Sequence, residues 1–425
     1  MESLTSSFPA LVALLAGVTF LYRVWSRPFV WNHPSPAKIH HEVIPAVTQN
    51  ETHAVSKESD FPEDWLAGKG VFELERRALF SKAWVCLSHR ARFSKAGDYQ
   101  SIDLAGFPIV LILGKDSVVR AFHNVCRHRA YPVTKKECGS STVLGCRYHG
   151  WSYNTYGQLI RAPHFDSVPG FDKAQNGLFA VHTFTSNSGF VFVNFETNAT
   201  ASSPETEVLD TFACRNRISP QSSWVSGQTL EARFNWKTAL RSKQFQDVTE
   251  FEDQKASPIG ALLSYLQRKP EGSSFFFPIT SLFTTPSSGC WFSLSLLPLS
   301  EQKTSVRYDL YSYKKLEDEA TKALLAKFTF ALKEKIAEIE AEYDSYVIQK
   351  GDSMSLLSKL DPEDAETQQR ILNLLKEHKQ LEKARGTEVF PATREPRTNA
   401  KYEQAEQLCR ELDCQNGTGQ KNLSW

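Results

Sequence analysis

The stretch from residue 124 to residue 151 reads NVCRHRAYPVTKKECGSSTVLGCRYHGW and contains four side chains that commonly bind metals. Cys126 and His128 form a Cys-x-His pair, and Cys146 and His149 form a Cys-x2-His pair. Seventeen residues separate the two pairs. Because thiolate and imidazole are ligands for several transition metals, this spacing predicts a metal centre held by two short loops.

The mixed ligand set is that of a Rieske [2Fe–2S] centre, in which two Cys hold one iron and two His hold the other. Imidazoles in place of thiolates remove negative charge and raise the reduction potential above that of an all-Cys ferredoxin. A zinc site is the alternative, but zinc sites usually pair Cys with Cys and His with His. We therefore expect Cys126, His128, Cys146 and His149 to hold one [2Fe–2S] cluster per subunit.

Composition sets limits on the class of protein. With 425 residues, of which 41% are hydrophobic, the sequence predicts two or three domains with a sizeable core. Lys and Arg number 49 against 48 Asp and Glu, a formal charge of +1, which argues against nucleic-acid binding. The eight cysteines have scattered spacings, so we expect free thiols in a reducing compartment rather than a disulfide framework.

The N-terminal residues predict a membrane anchor. Residues 3–22 carry no charge and are strongly apolar, and twenty helical residues span about 30 Å, the thickness of a bilayer's hydrocarbon core. A cleaved signal peptide is the alternative, but no basic residue precedes the apolar run. Basic residues follow it, so we expect a single-pass membrane protein with its body in the cytosol, on the endoplasmic reticulum. Residues 1–27 are the predicted anchor, and residues 28–58 are a tether.

The remaining sequence predicts two folded domains and a tail. Between residues 59 and 196, a helix ending near Phe80 precedes short apolar runs that alternate with turn residues, which is all-β patterning. Between residues 207 and 385, an antiparallel meander of three strands precedes two charged helices. The strands are Ser273–Thr285, Cys290–Leu299 and Thr304–Tyr313, and the helices cover roughly Leu316–Gln349 and Asp361–Arg385. Residues 386–425 form a polar tail.

The chain resembles the large subunit of Rieske non-haem iron oxygenases, in particular the choline-monooxygenase-like branch. The resemblance covers roughly Asp60 to Arg385. It is carried by the cluster loops, Phe80-x3-Trp84, Trp151-x-Tyr-Asn-x2-Gly157 and Phe234-Asn-Trp-Lys237. It implies an α+β fold, in which an all-β Rieske [2Fe–2S] domain precedes an antiparallel sheet packed on a long C-terminal helix, a helix-grip-like arrangement. The predicted N-terminal transmembrane helix completes the expected fold.

The resemblance also implies a mononuclear Fe(II) in the second domain, held by two His and one carboxylate. Arg241-Ser242 stand where the family has an acid-Asn pair, and Thr249 and Gln254 stand where it has the two His. Of the eleven His residues, only His378 follows residue 196, and its place on a charged helix predicts a solvated side chain. A two-His site therefore cannot be built in this domain, which makes a mononuclear Fe(II) doubtful.

Three alternatives follow for the second domain. Iron could be held by oxygen ligands alone, from Asp247, Glu250, Glu252 and Asp253, although a solvated acidic face is the simpler interpretation of this run. The domain could have lost its metal and left the Rieske cluster for electron transfer, or for redox chemistry on a bound substrate. The chain could also be a non-catalytic partner that completes a site in another subunit. No catalytic residue is predicted.

The sequence thus predicts a membrane-anchored Rieske-type [2Fe–2S] oxidoreductase of the oxygenase family. By analogy with anchored redox enzymes, we expect a hydrophobic, secondary-metabolite-like substrate. The alternative is an electron-transfer or non-catalytic partner subunit that uses only the cluster. The chain contains no Gly-rich nucleotide-binding motif, so its electrons must come from a separate reductase. Family oxygenases pass electrons between neighbouring subunits, so the resemblance implies a homo-oligomer.

Overall fold

The computed structural model describes residues 61–165, 168–197, 202–240, 245, 248, 272–285, 289–313, 318–348 and 360–390. Within these ranges the helices are α1 (Lys69–Glu75, extended by a π-helical turn at Arg76–Phe80), α2 (Glu207–Arg215), α3 (Asp318–Ile348) and α4 (Pro362–Arg385). The strands are β1 (Val85–His89), β2 (Asp98–Leu104), β3 (Phe107–Leu113), β4 (Val119–His123), β5 (Cys138–Ser140), β6 (Val143–Gly145), β7 (Ser152–Asn154), β8 (Leu159–Arg161), β9 (Ala180–Thr185), β10 (Phe190–Asn194), β11 (Ser223–Ala232), β12 (Ser273–Phe276), β13 (Thr280–Thr285), β14 (Cys290–Ser300) and β15 (Lys303–Ser312).

These strands form three antiparallel sheets. The first has seven strands in the order β1-β10-β9-β4-β3-β2-β5, and a small sheet has the order β6-β7-β8. The last has five strands in the order β11-β15-β14-β13-β12. The β-rich first part and the sheet-plus-helix second part give the α+β fold that the sequence predicts.

Strand β3 shows how the seven-stranded sheet is buried on both faces. Its sequence, FPIVLIL, is an almost unbroken apolar run, and successive side chains of a strand point to opposite faces. Ile109, Leu111 and Leu113 lie in the main core, whereas Val110 and Ile112 lie in a second core that also contains Cys126 and Cys146. The strand therefore packs against the core that holds the predicted metal centre, and it is one of the short apolar runs from which the sequence predicts all-β structure.

The five-stranded sheet packs on α3. The buried side chains of this helix recur at the three- and four-residue spacing of one helical face; they include Phe328, Leu332, Ile336, Ile339 and Tyr343. The Phe328 ring stacks on Phe292 of β14 with their centroids 4.0 Å apart. The described residues thus contain the predicted antiparallel sheet on a long C-terminal helix.

One strand prediction was wrong. The run Ser273–Thr285 forms two strands, β12 and β13, which pair antiparallel with Phe276 opposite Thr280. Pro278 lies in the turn between them, and proline cannot continue a strand there because it has no N–H to donate to the ladder. The meander consequently has four strands, and β11, which the sequence did not predict, pairs with β15.

The predicted membrane localisation is corrected. Residues 1–27, the predicted anchor, lie outside the described residues. Among the helices that are described, none is long and apolar enough to cross a membrane. The longest of these, α3, carries Asp, Glu and Lys side chains along its length, and such side chains are costly in a hydrocarbon core. The single-pass localisation, the cytosolic orientation and the endoplasmic reticulum site are therefore withdrawn.

Candidate metal centre

The first cluster loop, residues 126–131, is a tight turn that follows β4. The Cys126 N–H donates to the Tyr131 carbonyl at 2.8 Å, and the Ala130 N–H donates to the Cys126 carbonyl at 3.0 Å. Ala130 has a φ of 52°, in the left-handed region that non-glycine residues seldom adopt. The turn therefore fixes Cys126 at its base and carries His128 within it.

The second cluster loop, residues 146–151, repeats this hydrogen-bond pattern between β6 and β7. The Cys146 N–H donates to the Trp151 carbonyl at 2.8 Å, and the Gly150 N–H donates to the Cys146 carbonyl at 2.9 Å. Gly150, with a φ of 74°, occupies the same left-handed position, the fourth after the Cys. Two equivalent turns thus present one thiol and one imidazole each.

The two imidazoles lie next to each other. The ring centroids of His128 and His149 are 4.5 Å apart, and the rings meet edge to face. His128 is 4% exposed and stacks on the Trp151 ring at 5.1 Å, with Phe165 at 5.3 Å on another side. His149 is half-buried and contacts the Tyr148 ring at 4.0 Å. Aromatic side chains therefore hold both imidazoles in place.

The two thiols are buried and share a hydrogen bond. Cys126 and Cys146 are 3% and 4% exposed. Their mutual hydrogen bond lowers the pKa of Cys146 to about 6, whereas this bond and burial raise the pKa of Cys126. One thiolate is therefore available near neutral pH, which metal binding requires.

Tyr153 contacts the first thiol from β7. Its hydroxyl accepts the Arg127 N–H at 3.0 Å and lies 3.3 Å from Cys126 Sγ. Because the oxygen already accepts the backbone N–H, its own proton is free to point at the sulfur. The sequence analysis included Tyr153 only as part of the Trp151-to-Gly157 motif. Its position two residues after Trp151, at the alternating spacing of side chains that share one face of extended backbone, is the signal that could have identified it.

Both imidazoles are neutral at pH 7. Burial lowers the pKa of His128 to about 3, with smaller contributions from His149 and Arg129. Burial, followed by the Arg129 charge, also lowers the pKa of His149. Neutral imidazole offers a ring-nitrogen lone pair to a metal. The surroundings thus keep both side chains in their ligating form.

The donor set fits a two-iron cluster. Two thiols in mutual contact and two adjacent neutral imidazoles are the donor pairs that the two irons of a Rieske centre take. The buried Trp151 Nε1 beside them has no hydrogen-bond partner within the protein. Among the described residues, the cluster loops included, no three or more His, Cys, Asp or Glu side chains converge on a single metal ion, whereas each iron of a Rieske centre takes only two protein ligands.

Three further histidines among the described residues lie away from the paired imidazoles or on their edge. His123 and His182 line a cavity of about 440 Å³, together with Phe179, Phe195 and Glu196. His164 is exposed, has a φ of 67°, and lies close enough to His149 to lower the pKa of that group. The sequence analysis assigned none of these three histidines a ligand role.

The prediction of a solvated His378 was wrong. Its side chain is buried, with Nε2 3.0 Å from the Val389 carbonyl and 3.2 Å from Glu382 Oε1. Ile371, Leu375 and His378 occupy one face of α4 at helical spacing, and this face is buried. The charges of neighbouring residues belong to the opposite face, so His378 is a structural side chain.

The predicted oxygen ligands Asp247, Glu250, Glu252 and Asp253 lie outside the described residues, as do Arg241, Ser242, Thr249 and Gln254. Glu340, near the place where the resemblance expects a carboxylate ligand, accepts the Arg233 N–H at 2.7 Å. That bond ties α3 to the residue after β11.

Comparison with known proteins agrees with this site. The Rieske [2Fe–2S] domain model matches residues 83–172. The carnitine monooxygenase oxygenase subunit of Acinetobacter pittii is 35% identical over 186 residues, which are 42% of this chain and 48% of that protein. The carnitine monooxygenase oxygenase subunit of Escherichia coli K12 is 29% identical over 282 residues, 59% of this chain and 74% of that protein. The chain thus spans about half the length of the Acinetobacter relative.

Solved structures show the same fold. The apo form of the quaternary ammonium Rieske monooxygenase CntA superimposes with a TM-score of 0.58 at 21% identity, covering 74% of this chain and 94% of CntA. Naphthalene 1,2-dioxygenase from Rhodococcus sp. superimposes with a TM-score of 0.56 at 18% identity, covering 76% of this chain and 94% of the dioxygenase chain. The fold and the paired loops define a protein with a Rieske [2Fe–2S] domain and its cluster. The sequence relatives and the matched solved structures are Rieske oxygenases, which supports the resemblance that the sequence shows.

Proposed function

We propose that Cys126 and Cys146 hold one iron of the cluster and that His128 and His149 hold the other. One observation carries this proposal: two equivalent turns bring the imidazoles to 4.5 Å from each other and the thiols into a shared hydrogen bond. The buried ring of Trp151 shields the imidazole pair from water. The half-buried His149 forms the accessible edge of the site.

We further propose that the chain is an oxygenase-type oxidoreductase. When bound, a Rieske cluster accepts and passes on one electron at a time. The protein's own residues bury the site, keep both imidazoles neutral and place the Tyr153 hydroxyl against Cys126 Sγ. The matched relatives, which are oxygenase or dioxygenase subunits, support this assignment.

A hydrophobic small molecule is our proposed substrate class. The curated relatives include biphenyl and benzene dioxygenase α subunits as well as carnitine monooxygenases. Half-buried aromatic side chains occur in the second part of the chain, among them Phe275 and Phe276 of β12. Pockets for such substrates are predominantly apolar.

An electron-transfer or non-catalytic partner subunit is the second candidate function. It is favoured by His378, the one histidine after residue 196, which is buried and engaged by Val389 and Glu382. Under both functions we propose a separate reductase as the electron donor and a homo-oligomeric assembly. Inter-subunit electron transfer is described for CntA, which shares this fold.

A single-turnover experiment separates the two functions. The full chain is reduced anaerobically, freed of reductant, and mixed with oxygenated buffer that contains either naphthalene or L-carnitine. An oxygenase forms hydroxylated product as the cluster is reoxidised, at up to one product molecule for every two electrons stored. Reoxidation without any hydroxylated product from either probe, in a chain with a full cluster, contradicts the oxygenase assignment and supports the electron-transfer subunit.

A further inference from the structure

Positive charge is concentrated around the two cluster loops. Residues 124–165 contain six Lys or Arg side chains and one carboxylate, Glu137. Glu137 is engaged on another side, because its Oε1 lies 2.7 Å from Arg307 Nη1 and accepts the Thr229 hydroxyl at 2.7 Å. The segment therefore has a formal charge of +5 in a chain whose total is +1, so the rest of the chain carries −4.

Four of these six cations lie on the surface and define what we call the basic face. Its residues are Lys135, Lys136, Arg147 and Arg161, all of them exposed. Arg127, by contrast, stacks on the Phe179 ring at 3.9 Å and donates to the Gly177 carbonyl at 3.0 Å. The exposed four contribute most of the charge that an approaching molecule meets.

Two exposed apolar side chains, Tyr148 and Ile160, are sequence neighbours of Arg147 and Arg161 of the basic face, and the Tyr148 ring touches the proposed cluster ligand His149. Tyr148 and Ile160 are 41% and 43% exposed. The Lys135 ammonium lies 4.8 Å from the Tyr131 ring, whose centroid is 5.2 Å from that of Tyr148. Since the Tyr148 ring is 4.0 Å from His149, contacts run from Lys135 of the basic face to the imidazole.

Such a surface fits a protein rather than a small reductant. An apolar, tyrosine-containing centre with a charged rim is the anatomy of a protein–protein interface. Charged rims accelerate encounter and select partners of opposite charge, which suits short-lived electron-transfer complexes. A nucleic acid would also be attracted by cations, but the chain as a whole is nearly neutral.

We propose that the basic face docks an electron-donating protein that presents an acidic surface. This inference rests on the proposed function, because it requires the cluster at His128 and His149. In the step itself, one electron leaves the reduced donor, which becomes oxidised, and arrives on the oxidised cluster, which becomes reduced. A donor of lower potential, such as a plant-type ferredoxin, makes this transfer downhill for a Rieske centre.

Stopped-flow reduction of the holoprotein by an acidic plant-type [2Fe–2S] ferredoxin, reduced and freed of reductant, tests the proposal. Two variants change different parts of the basic face: Lys135→Glu with Lys136→Glu between the two cluster loops, and Arg161→Glu at the end of β8. We expect the second-order rate for the double variant to fall at least tenfold at low ionic strength, and its salt dependence to weaken. Arg161→Glu alone should show a smaller fall in the same direction.

The matched control reverses the charge of two exposed lysines of α3, Lys322→Glu with Lys327→Glu. It should change the rate of reduction by ferredoxin less than twofold. Photoreduction by neutral deazaflavin, followed by EPR, first establishes that each variant holds its cluster. Equal ferredoxin rates in all cluster-containing forms overturn the docking face and leave the proposed function standing. If the wild type is an oligomer and only the basic-face variants dissociate, while their ferredoxin rates stay unchanged, the face binds a second copy of the chain. This result also overturns the docking proposal. A wild-type chain without a cluster overturns both.

Discussion

At the scale of single residues, Tyr153 controls the electron density on the first thiol. A hydrogen bond to a cluster sulfur stabilises the reduced, more negative cluster and therefore raises its reduction potential. We predict that Tyr153→Phe lowers the potential by about 40 mV, the equivalent of one hydrogen bond of about 1 kcal/mol. Iron content should not change, because Tyr153 is not among the proposed ligands. Protein-film voltammetry measures the shift.

Tyr156→Phe is the matched control for that change. The ring of Tyr156 is 43% exposed and lies under the Arg120 guanidinium at 4.7 Å, away from both thiols. The reduction potential of the Tyr156→Phe variant should equal that of the wild type. A Tyr153→Phe potential that also stays at the wild-type value would show that the hydroxyl does not donate to Cys126.

His89 makes folding stability depend on pH. It is 1% exposed, lies within hydrogen-bond distance of the Ser188 carbonyl and accepts the Ala91 N–H. Burial lowers its pKa from 6.5 to about 4, so the unfolded chain takes up the proton first. The stability that this neutral side chain confers is present above pH 6.5 and is lost as the pH falls toward 4.

We predict that the titration of His89 lowers the wild-type free energy of unfolding by about 2 kcal/mol as the pH falls from 7 to 5. His89→Gln should be less stable at pH 7 but should lack this part of the pH dependence. Urea unfolding of both proteins at the two pH values measures the difference. Equal losses in the two proteins would mean that His89 is not the titrating group.

At the scale of elements, a buried polar network joins α1, the turn after β11 and α4. The Lys237 ammonium pairs with Glu75, and both side chains are fully buried. Trp236 Nε1 donates to the same carboxylate at 2.8 Å, and the Gln368 amide of α4 donates to the Lys237 carbonyl at 2.9 Å. The Phe234-to-Lys237 motif thus joins α1 through the Glu75 carboxylate and α4 through the Lys237 carbonyl.

We predict that Lys237→Met destabilises the protein by about 3–5 kcal/mol, because it leaves Glu75 buried without its partner. Adding Glu75→Gln should restore much of this loss. Lys322→Met removes the exposed pair with Glu319 and should cost less than about 0.5 kcal/mol. Chemical denaturation compares the four proteins. A double variant as unstable as Lys237→Met alone would refute the assignment of the loss to the unpaired carboxylate.

The long helix α3 provides a second element-scale prediction. Leu332 is fully buried against the five-stranded sheet, whereas Phe330 on the same helix is 65% exposed. We predict a loss of about 3 kcal/mol for Leu332→Ala from the cavity it leaves, and less than about 0.5 kcal/mol for Phe330→Ala. Comparable losses for the two variants would contradict the assigned face of the helix.

At the scale of the whole molecule, local patterns predicted most of the described fold. The apolar run at 107–113 and the amphipathic stretch after residue 316 are long enough for their periodicity to decide the element. Pro278 was overlooked as the break between β12 and β13. The half-exposed strand β11 has little apolar alternation, so its pairing with β15 depends on contacts distant in sequence.

The proposed ligand residues could be identified from the sequence because each Cys lies two or three residues before its His. The surroundings of the site could not, since Phe165 and Tyr153 reach the cluster loops only after β7 and β8 have paired. For His378 the sequence misled, because its neighbours in the chain are charged whereas its own side chain is buried. Its spacing from Ile371 and Leu375 was the better signal.

The most direct test of the cluster assignment is the iron and acid-labile sulfide content per chain of anaerobically purified protein, with EPR after reduction. We predict about two irons and two sulfides per chain and a Rieske-type EPR signal. His149→Ala should lose that signal, because one iron then lacks a ligand. Iron without sulfide, zinc in its place, or an unchanged signal in His149→Ala would contradict a [2Fe–2S] cluster held by Cys126, His128, Cys146 and His149.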